Sequence, residues 1–347
     1  AILGKDFSFA LLSGIVREYS PDISDEILLD CLAEGIEARL IGEGLSESGE
    51  VLYFFVHDRV METLLETMNE QEIQDIHGIA ASQIEDNYSG SDRVYKLAYH
   101  YLMARNDEKA CYFNNQAGQT ALESYSFKLA VSFFGHALQI MKKDEQARGA
   151  KLQERVELAL QVAGLNFQLG DYLKNIELLE ALLKDAEQLE DKTRLANAMY
   201  LLAKNYFFTG NQAKGMEFYY KLVPVAEQLN IPELLAIPYC AIGRAHCFMA
   251  NFQEAIEYIE KGLAILPAEE VLEQVYSLGI LAQSYAYVGM KARAFDMLEQ
   301  LDEMFGSTEN EMFQLYIQFY RASVFAMVGN PQTAIEESEK TMELARE

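Results

Sequence analysis

Hydrophobic positions recur at helical spacing along most of the chain, and short turns separate the helices that this spacing predicts. From about residue 146 onward the turns are almost evenly spaced. Each is centred on a small residue, namely Gly170, Gly210, Ala250, Gly289 and Gly329. Their successive separations are 40, 40, 39 and 40 residues. Self-similarity at a fixed period is the sequence signature of a repeat array.

Other positions keep the same phase as these turns. Seven residues before each turn there is a small residue: Ala163, Ala203, Gly243, Ala282 and Ala322. Five residues after four of the turns a small residue also follows: Gly215, Ala255, Ala294 and Ala334. Small residues let two helices approach closely, so each unit is predicted to be an antiparallel helix pair. A sixth pair is predicted around Tyr125, followed by a longer loop near residues 142–146.

This pattern resembles tetratricopeptide (TPR) repeats, in which small residues occupy the same places of a helix–turn–helix unit. The period is longer than the usual value of about 34 residues. The chain has no Trp, and only Pro267 matches the Pro that closes the usual unit. The resemblance implies an all-α fold, a TPR-like α-solenoid of about six helix pairs over residues 106–347.

Residues 1–68 have a different pattern. Helices are predicted over residues 7–19 and from Ser24 to about residue 40, with Ser24 as N-cap. Two β-rich segments around a polar turn at 46–50 predict a hairpin, and a helix follows over residues 59–68. This order is typical of a winged-helix domain. Connecting helices are predicted at 70–87 and 93–103, within residues 69–105, and the first repeat pair at 107–123 and 127–142.

The net charge of −26 arises from 54 acidic and 28 basic residues. Such a polyanion disfavours nucleic acid and anionic membranes as partners. The candidate recognition helix of the winged-helix region is also acidic, with a single basic residue, Arg39, whereas a DNA-reading helix needs the opposite sign. The excess charge is explained by solubility of an extended surface, and basic partners are the alternative.

The cysteines and the hydropathy pattern bear on the compartment. Cys31, Cys111, Cys240 and Cys247 are widely spaced, which favours buried thiols in a reducing compartment over a disulfide framework. No apolar stretch approaches membrane-spanning length. We therefore expect a cytoplasmic protein. Because the sequence begins with Ala1 rather than Met, we also expect it to be part of a longer polypeptide.

The N-terminal region resembles the segment that follows the nucleotide-binding core of STAND-type signalling ATPases. The resemblance rests on residues 2–8 (Ile-Leu-Gly-Lys-Asp-Phe-Ser) and 54–60 (Phe-Phe-Val-His-Asp-Arg-Val), followed by helices that lead into TPR-like pairs. It implies that His57 and Asp58 sense nucleotide in the parent protein, with the histidine near the terminal phosphate of bound ADP. Imidazole at a helix N-terminus is suited to an anion. The alternative is a helix cap without nucleotide contact.

The chain itself contains no Gly-x-x-x-x-Gly-Lys-Ser/Thr sequence. ATP or ADP and Mg²⁺ are therefore expected only in an upstream ATPase domain, and no cofactor is expected in this chain.

The repeat phase also predicts a ligand groove, lined by positions thirteen, ten, six and two residues before each turn. These positions, together with one neighbouring residue, give Asn197, Tyr200, Lys204, Asn205, Phe208, Arg244, Phe248, Tyr276, Gln283, Tyr287 and Tyr316. Lys204 and Arg244 share one column, which suits an acidic or carboxylate-bearing protein or peptide. Two alternatives are that the aromatic lining packs against the next turn of the solenoid, or that another part of the parent protein covers it.

No constellation typical of an enzyme or a metal site is recognised. His77 and His100 are expected to be lone structural histidines, and Cys240, His246 and Cys247 lie on one predicted helix without sharing one face. The acidic clusters are expected to be solvated helix faces. The sequence thus favours a non-catalytic sensor arm of a STAND-type regulator. The main alternative is a free-standing TPR scaffold, and an enzyme is the third and weakest.

Overall fold

The computed structural model describes residues 1–4, 6–45, 49, 51–144, 148–306 and 310–344. The chain is mostly helical, at 77%, with seventeen α-helices and one three-stranded sheet among these residues. Contacts divide it into two compact units, Ala1–Leu165 and Asn166–Glu347. Each unit is described by itself. The boundaries inferred from the sequence, at residues 68 and 105, remain predictions.

The first unit opens with the small sheet and the helices around it. The elements are β1 (Asp6–Ser8), α1 (Phe9–Tyr19), α2 (Asp25–Glu37), β2 (Ile41–Leu45), β3 (Val51–Phe55) and α3 (Asp58–Glu66). The sheet order is β1-β3-β2 with antiparallel pairing, so β2 and β3 form the predicted hairpin. Residues 46–48 and 50 of the predicted turn lie outside the described residues. Whether this arrangement is a winged helix stays a proposal.

Strand β1 of this sheet was not predicted from the sequence. A helix was expected from residue 7, but Phe7 pairs with Tyr53 in the sheet and is buried against Leu32 and Phe55. The helix begins two residues later because the Ser8 side chain accepts a hydrogen bond from the Leu11 N–H, which caps α1.

Four helices complete most of the first unit: α4 (Glu70–Asn87), α5 (Arg93–Met103), α6 (Asp107–Glu123) and α7 (Phe127–Lys142). Their limits agree with the sequence prediction. Asn69 and Glu72 form a reciprocal capping box at the start of α4, so a local signal fixes that end. Of the predicted loop at 142–146, residues 145 and 146 lie outside the described residues.

The remaining helices follow the repeat. They are α8 (Ala150–Leu169), α9 (Tyr172–Gln188), α10 (Lys192–Phe208), α11 (Gln212–Leu229), α12 (Ala236–Phe248), α13 (Phe252–Leu263), α14 (Val271–Tyr287), α15 (Lys291–Phe305), α16 (Glu311–Met327) and α17 (Pro331–Leu344). The marker residues lie in the turns within the pairs and have left-handed backbone, from φ 61° at Ala250 to φ 84° at Gly329. Glycine adopts this conformation without a steric penalty, which explains four of the five markers.

The phased small residues lie where neighbouring helices touch. Ala203 and Ala282 are fully buried, and Gly243 of α12 packs against α13. A Cβ atom at Gly243 would lie 2.5 Å from Ile259 Cγ1 and 3.0 Å from the Ala255 carbonyl oxygen. The small residues seven positions before the turns therefore lie where the two helices of a pair are in close contact, as the sequence predicted.

We expect Gly243→Ala to lower the free energy of unfolding by about 1–2 kcal/mol, because the new methyl group must displace backbone as well as Ile259. Gly135→Ala on α7 is the matched control, since no atom lies within 4 Å of the added Cβ there. This control should gain up to about 1 kcal/mol from helix propensity. Urea denaturation followed by circular dichroism measures both. Stabilisation by both substitutions would contradict the close contact at Gly243.

Tyrosines four residues before the turns join three consecutive helices in the second unit. The Tyr206 hydroxyl donates to Glu180 Oε1 at 2.5 Å and accepts from Lys214 Nζ at 3.2 Å. Tyr285 repeats this arrangement with Glu260 and Arg293. Each tyrosine thus links the preceding and the following helix of the array through its hydroxyl group.

The same arrangement occurs in the first unit, at a turn between two predicted helices that was not assigned to the repeat from the sequence. Arg105 has φ 54° between α5 and α6, Tyr101 precedes it by four residues, and Ala110 follows it by five. The Tyr101 hydroxyl donates to Glu85, and Lys109 Nζ donates to that hydroxyl at 2.9 Å. Tyr101 and Ala110 occupy the phased positions. The sequence has Arg105 where most of the other turns have glycine, and for that reason this turn was not assigned to the repeat.

Candidate ligand-binding site

A cavity of about 520 Å³ lies within the second unit. Residues of α10, α12 and α14 form most of its wall, and one residue each from α8, α11 and α16 completes it: Phe167, Tyr219 and Tyr320. Five of the residues predicted to line a groove meet there: Lys204, Phe208, Arg244, Phe248 and Tyr276. The structure thus brings together residues that are up to 72 positions apart in the sequence.

Arg244 is engaged in an ion pair at the cavity wall. Its guanidinium pairs with Glu273 in the first turn of α14, and Nη1 donates to Ser277 Oγ at 3.3 Å. The side chains of Arg244 and Glu273 are only 22% and 14% exposed. Burial acts to lower the pKa of Arg244, but the charge of Glu273 outweighs it and the pKa is raised. The guanidinium is therefore occupied by its partner within the protein.

Lys204 has a different environment. Its Nζ lies 4.8 Å from the ring centre of Phe167 and 5.4 Å from that of Tyr200, so the ammonium is held by cation–π contacts. Within the described part of the chain it has no ion-pair partner. Burial lowers its pKa, and the charges of Glu270 and Glu273 only partly offset this. A half-buried ammonium without a paired carboxylate is available to an anionic group.

Aromatic rings surround these charges. Phe208 and Phe248, at the C-terminal ends of α10 and α12, are 60% and 79% exposed. The Phe208 ring lies 5.1 Å from Phe167 in a T-shaped arrangement. Tyr276 meets Tyr316 at 4.7 Å, and burial with the Tyr316 hydrogen bond raises the pKa of Tyr276 to about 12. Exposed rings beside a cavity are typical of a binding surface.

Other predicted groove residues lie outside this cavity. Asn205 does not face a groove: it is fully buried, it donates to the Leu201 carbonyl oxygen and it accepts from Asn175 Nδ2 at 3.2 Å. One residue along a helix turns the side chain by about 100° away from Lys204. Gln283 is also buried.

Four more of the predicted residues are at least partly exposed but do not line the cavity. Tyr287 stacks on Phe252 at 4.1 Å and is about half exposed. Asn197 is half-buried and donates to the Thr193 carbonyl oxygen. Tyr316 meets Tyr276 of the cavity wall at 4.7 Å but is not itself a lining residue. The Tyr200 ring lies 5.4 Å from the Lys204 ammonium and is also not a lining residue.

The sequence analysis missed Glu270 and Glu273, which line the cavity. Neither residue was singled out from the sequence. Glu273 instead lies in the first turn of α14, where it meets a cation 29 residues earlier in the chain. The sequence does place an acidic residue at the start of one helix and a basic residue in the preceding helix pair. This is the signal that could have indicated the contact.

His57 and Asp58 lie at the predicted junction of strand and helix in the first unit. β3 ends at Phe55, His57 is the N-cap residue of α3 with φ −131° and ψ 132°, and Asp58 is the first residue of the helix. His57 makes no side-chain cap hydrogen bond, and both residues are exposed. Contact with nucleotide remains a prediction.

The remaining candidate residues are the cysteines and the histidines His77 and His100. Cys240 and Cys247 are buried free thiols as expected, but Cys31 is exposed. His77 and His100 are not isolated, since their Nδ1 atoms lie 2.9 Å apart. Among the described residues no group of three or more His, Cys, Asp or Glu side chains could hold a metal ion. In the described part of the chain no helix has the length and hydropathy needed to span a membrane.

Comparisons with known proteins bear on the fold. No family model matches the chain, and no curated protein matches it. The apo form of RapI aligns with a TM-score of 0.50 and 12% identity over 81% of this chain and 83% of that chain. The STAND protein with a tetratricopeptide repeat sensor from Pyrococcus horikoshii gives 0.43 and 13%, over 97% and 60%. The quorum sensor NprR from B. thuringiensis gives 0.45 and 12%, over 92% and 99%. The fold is similar to TPR-like helical repeats.

Proposed function

We propose that this chain is a non-catalytic sensor module that binds a peptide or protein segment in the cavity of α10, α12 and α14. Its first unit would pass that event to the nucleotide-binding domain of a STAND-type signalling ATPase. The observation that carries the binding half is the convergence of exposed rings and a half-buried ammonium on one cavity.

The size and chemistry of the cavity support this assignment. A volume of about 520 Å³ lies within the range of ligand sites, which combine apolar walls with a few oriented polar groups. Phe208 and Phe248 expose apolar surface that an occupant would remove from water. Aromatic and arginine side chains are also the residue types that contribute most to binding in protein interfaces.

The position of His57 and Asp58 supports the coupling half. An exposed imidazole at the start of α3 can donate a hydrogen bond to an anion, and a helix N-terminus favours negative charge. Nucleotide and Mg²⁺ would be held by another domain, and His57 of this chain would contact the terminal phosphate of that nucleotide. Coupling requires that the ligand bind two states of the protein with different affinity.

The binding half is tested by selecting peptides from a displayed random library on the 347-residue chain. We expect selected peptides to lose at least about tenfold in affinity on Phe248→Ser, since a central aromatic anchor contributes about 2 kcal/mol or more. Tyr112→Ser is the matched control, because Tyr112 is an exposed helical aromatic that does not line the cavity. Isothermal calorimetry measures both variants. Equal affinities for the two variants would place binding elsewhere.

The coupling half is tested in the full-length gene product. If it carries a nucleotide-binding domain, His57→Ala is expected to speed ADP release about tenfold, through loss of one charge-assisted hydrogen bond. Release of a fluorescent ADP analogue measures the rate, with His136→Ala as control. A gene product without such a domain, or unchanged release, would leave the free-standing scaffold as the function.

A further inference from the structure

The charged residues of the cavity are not equivalent, and their arrangement restricts the ligand. Four of its lining side chains carry charge: Lys204, Arg244, Glu270 and Glu273. Arg244 and Glu273 are paired, and Ser277 contributes a further hydrogen bond to Arg244. Glu270 lies at the N-cap of α14 and is exposed, so water weakens its attraction for Lys204 without removing its charge. Lys204 is left as the cation that a ligand can engage.

We infer that the cavity takes a ligand in which a large apolar group is joined to a single carboxylate, with the carboxylate at Lys204 and the apolar group among the rings and aliphatic side chains. This inference rests on the proposed binding function and specifies its ligand class. The source is either a free aromatic or branched aliphatic acid, or the C-terminal residue of a peptide. Both present the same chemistry to the cavity.

The apolar part follows from the wall. Apart from the four charged residues, the lining consists of aromatic and aliphatic side chains, including Phe207, Ile237, Leu272 and Ile280. A ligand without an apolar group would leave these surfaces in contact with water. The cavity also exceeds the volume of one side chain, so a ring and its linker are accommodated together.

The carboxylate follows from Lys204. Its ammonium is partly removed from water, and two aromatic faces compensate only part of that loss. A carboxylate would supply the charge-assisted hydrogen bond that it lacks. Binding should then raise the lowered pKa of Lys204, so the complex takes up protons and affinity falls as the pH rises toward that pKa.

The restriction to one carboxylate follows from Glu270 and Glu273. A second anionic group could reach a cation only by displacing Glu273 from Arg244, which would leave a carboxylate with little exposure unpaired. Glu270 would repel that second group as well. The cavity should therefore discriminate against dicarboxylates, although the columns in the sequence suggested a generally acidic partner.

Calorimetric titration of the 347-residue chain tests this. The probes are N-acetyl-phenylalanine, its amide, benzylsuccinate, and an acetylated Ala-Ala-Ala-Phe peptide with free or amidated C-terminus. We expect the free acid of at least one pair to bind at least about tenfold more tightly than its amide. Benzylsuccinate should bind no better than the monoacid. If N-acetyl-phenylalanine binds more tightly than its amide, the source is a free acid. If only the peptide with a free C-terminus binds more tightly than its amide, the source is a peptide C-terminus.

Variants at Lys204 decide whether the carboxylate lies there. Lys204→Gln should abolish the difference between acid and amide, and Lys204→Arg should restore part of it. Lys221→Gln, on the exposed face of α11, should leave it unchanged. If acid and amide bind equally, or if no probe shows acid preference, the inference is wrong. Phe248-dependent binding of selected peptides would then still support the proposed function, whereas its absence would reject both.

Discussion

Replacement of Glu273 by alanine is expected to lower the free energy of unfolding by about 3 kcal/mol. The substitution leaves the Arg244 guanidinium at a site where only 22% of its side chain is exposed, with Ser277 as its remaining polar partner. An ion pair with little exposure contributes modestly as a pair, but removal of one member leaves an uncompensated charge that costs about 3–5 kcal/mol when burial is complete. The residual exposure places this case at the lower end.

Two further variants separate this effect from a general loss of charge. Glu217→Ala removes the partner of Lys221, and both of those side chains are more than half exposed, so the free energy of unfolding should hardly change. The double variant Arg244→Met/Glu273→Leu should recover most of the stability, because two apolar residues of similar size replace the charged pair. Denaturant unfolding measures all three. Equal losses for Glu273→Ala and Glu217→Ala would show that water reaches the Arg244 pair.

The features that the sequence predicted well are those that short stretches of chain determine. The limits of α4 to α7 agree with prediction because caps such as Asn69 and the helical period act within a few residues. The phased turns were predictable because Gly170, Gly210, Gly289 and Gly329 occupy backbone with φ near 80°. The same phase placed Lys204 and Arg244 in one column, and both residues line the cavity. In each case one local requirement recurs at a fixed interval.

The features that were missed depend on residues distant in sequence. β1 forms because Phe7 meets Tyr53 across the sheet, which no local propensity of residues 6–8 indicates. Glu273 belongs to the cavity because of a partner 29 residues away, and composition alone made it one acid among 54. Asn205 was assigned to the groove from its proximity to Lys204 in sequence, although the rotation between adjacent helical residues directs it into the core.

The two buried histidines of the first unit illustrate the same limit and form the basis of the second large prediction. His77 of α4 and His100 of α5 are 2% and 3% exposed, and their Nδ1 atoms share a hydrogen bond of 2.9 Å. Such a bond requires one protonated and one unprotonated Nδ1, so the accepting ring is neutral. Burial lowers the pKa of His77 to about 4. Burial, together with His77 and Lys96, lowers that of His100 to about 3.

These shifts make the stability of the first unit dependent on pH. In the unfolded chain both histidines titrate near pH 6.5, so below that pH the unfolded state binds more protons than the folded state. The contribution of the neutral pair is therefore fully present above pH 6.5 and is lost as the pH falls from 6.5 toward 4. Between pH 7 and pH 5, where few carboxylates titrate, the free energy of unfolding should fall by about 3 kcal/mol.

Urea denaturation at pH 7, 6 and 5 measures this loss, and the double variant His77→Gln/His100→Gln isolates its cause. Two glutamines can hydrogen-bond to each other across the same contact but do not titrate, so the variant should lose less than about 1 kcal/mol over this interval. His57→Gln, at an exposed position, should keep the full loss of the unmodified chain. A double variant with the same pH dependence as the unmodified chain would show that the acid sensitivity arises elsewhere, and that the buried pair has little influence on folding above pH 5.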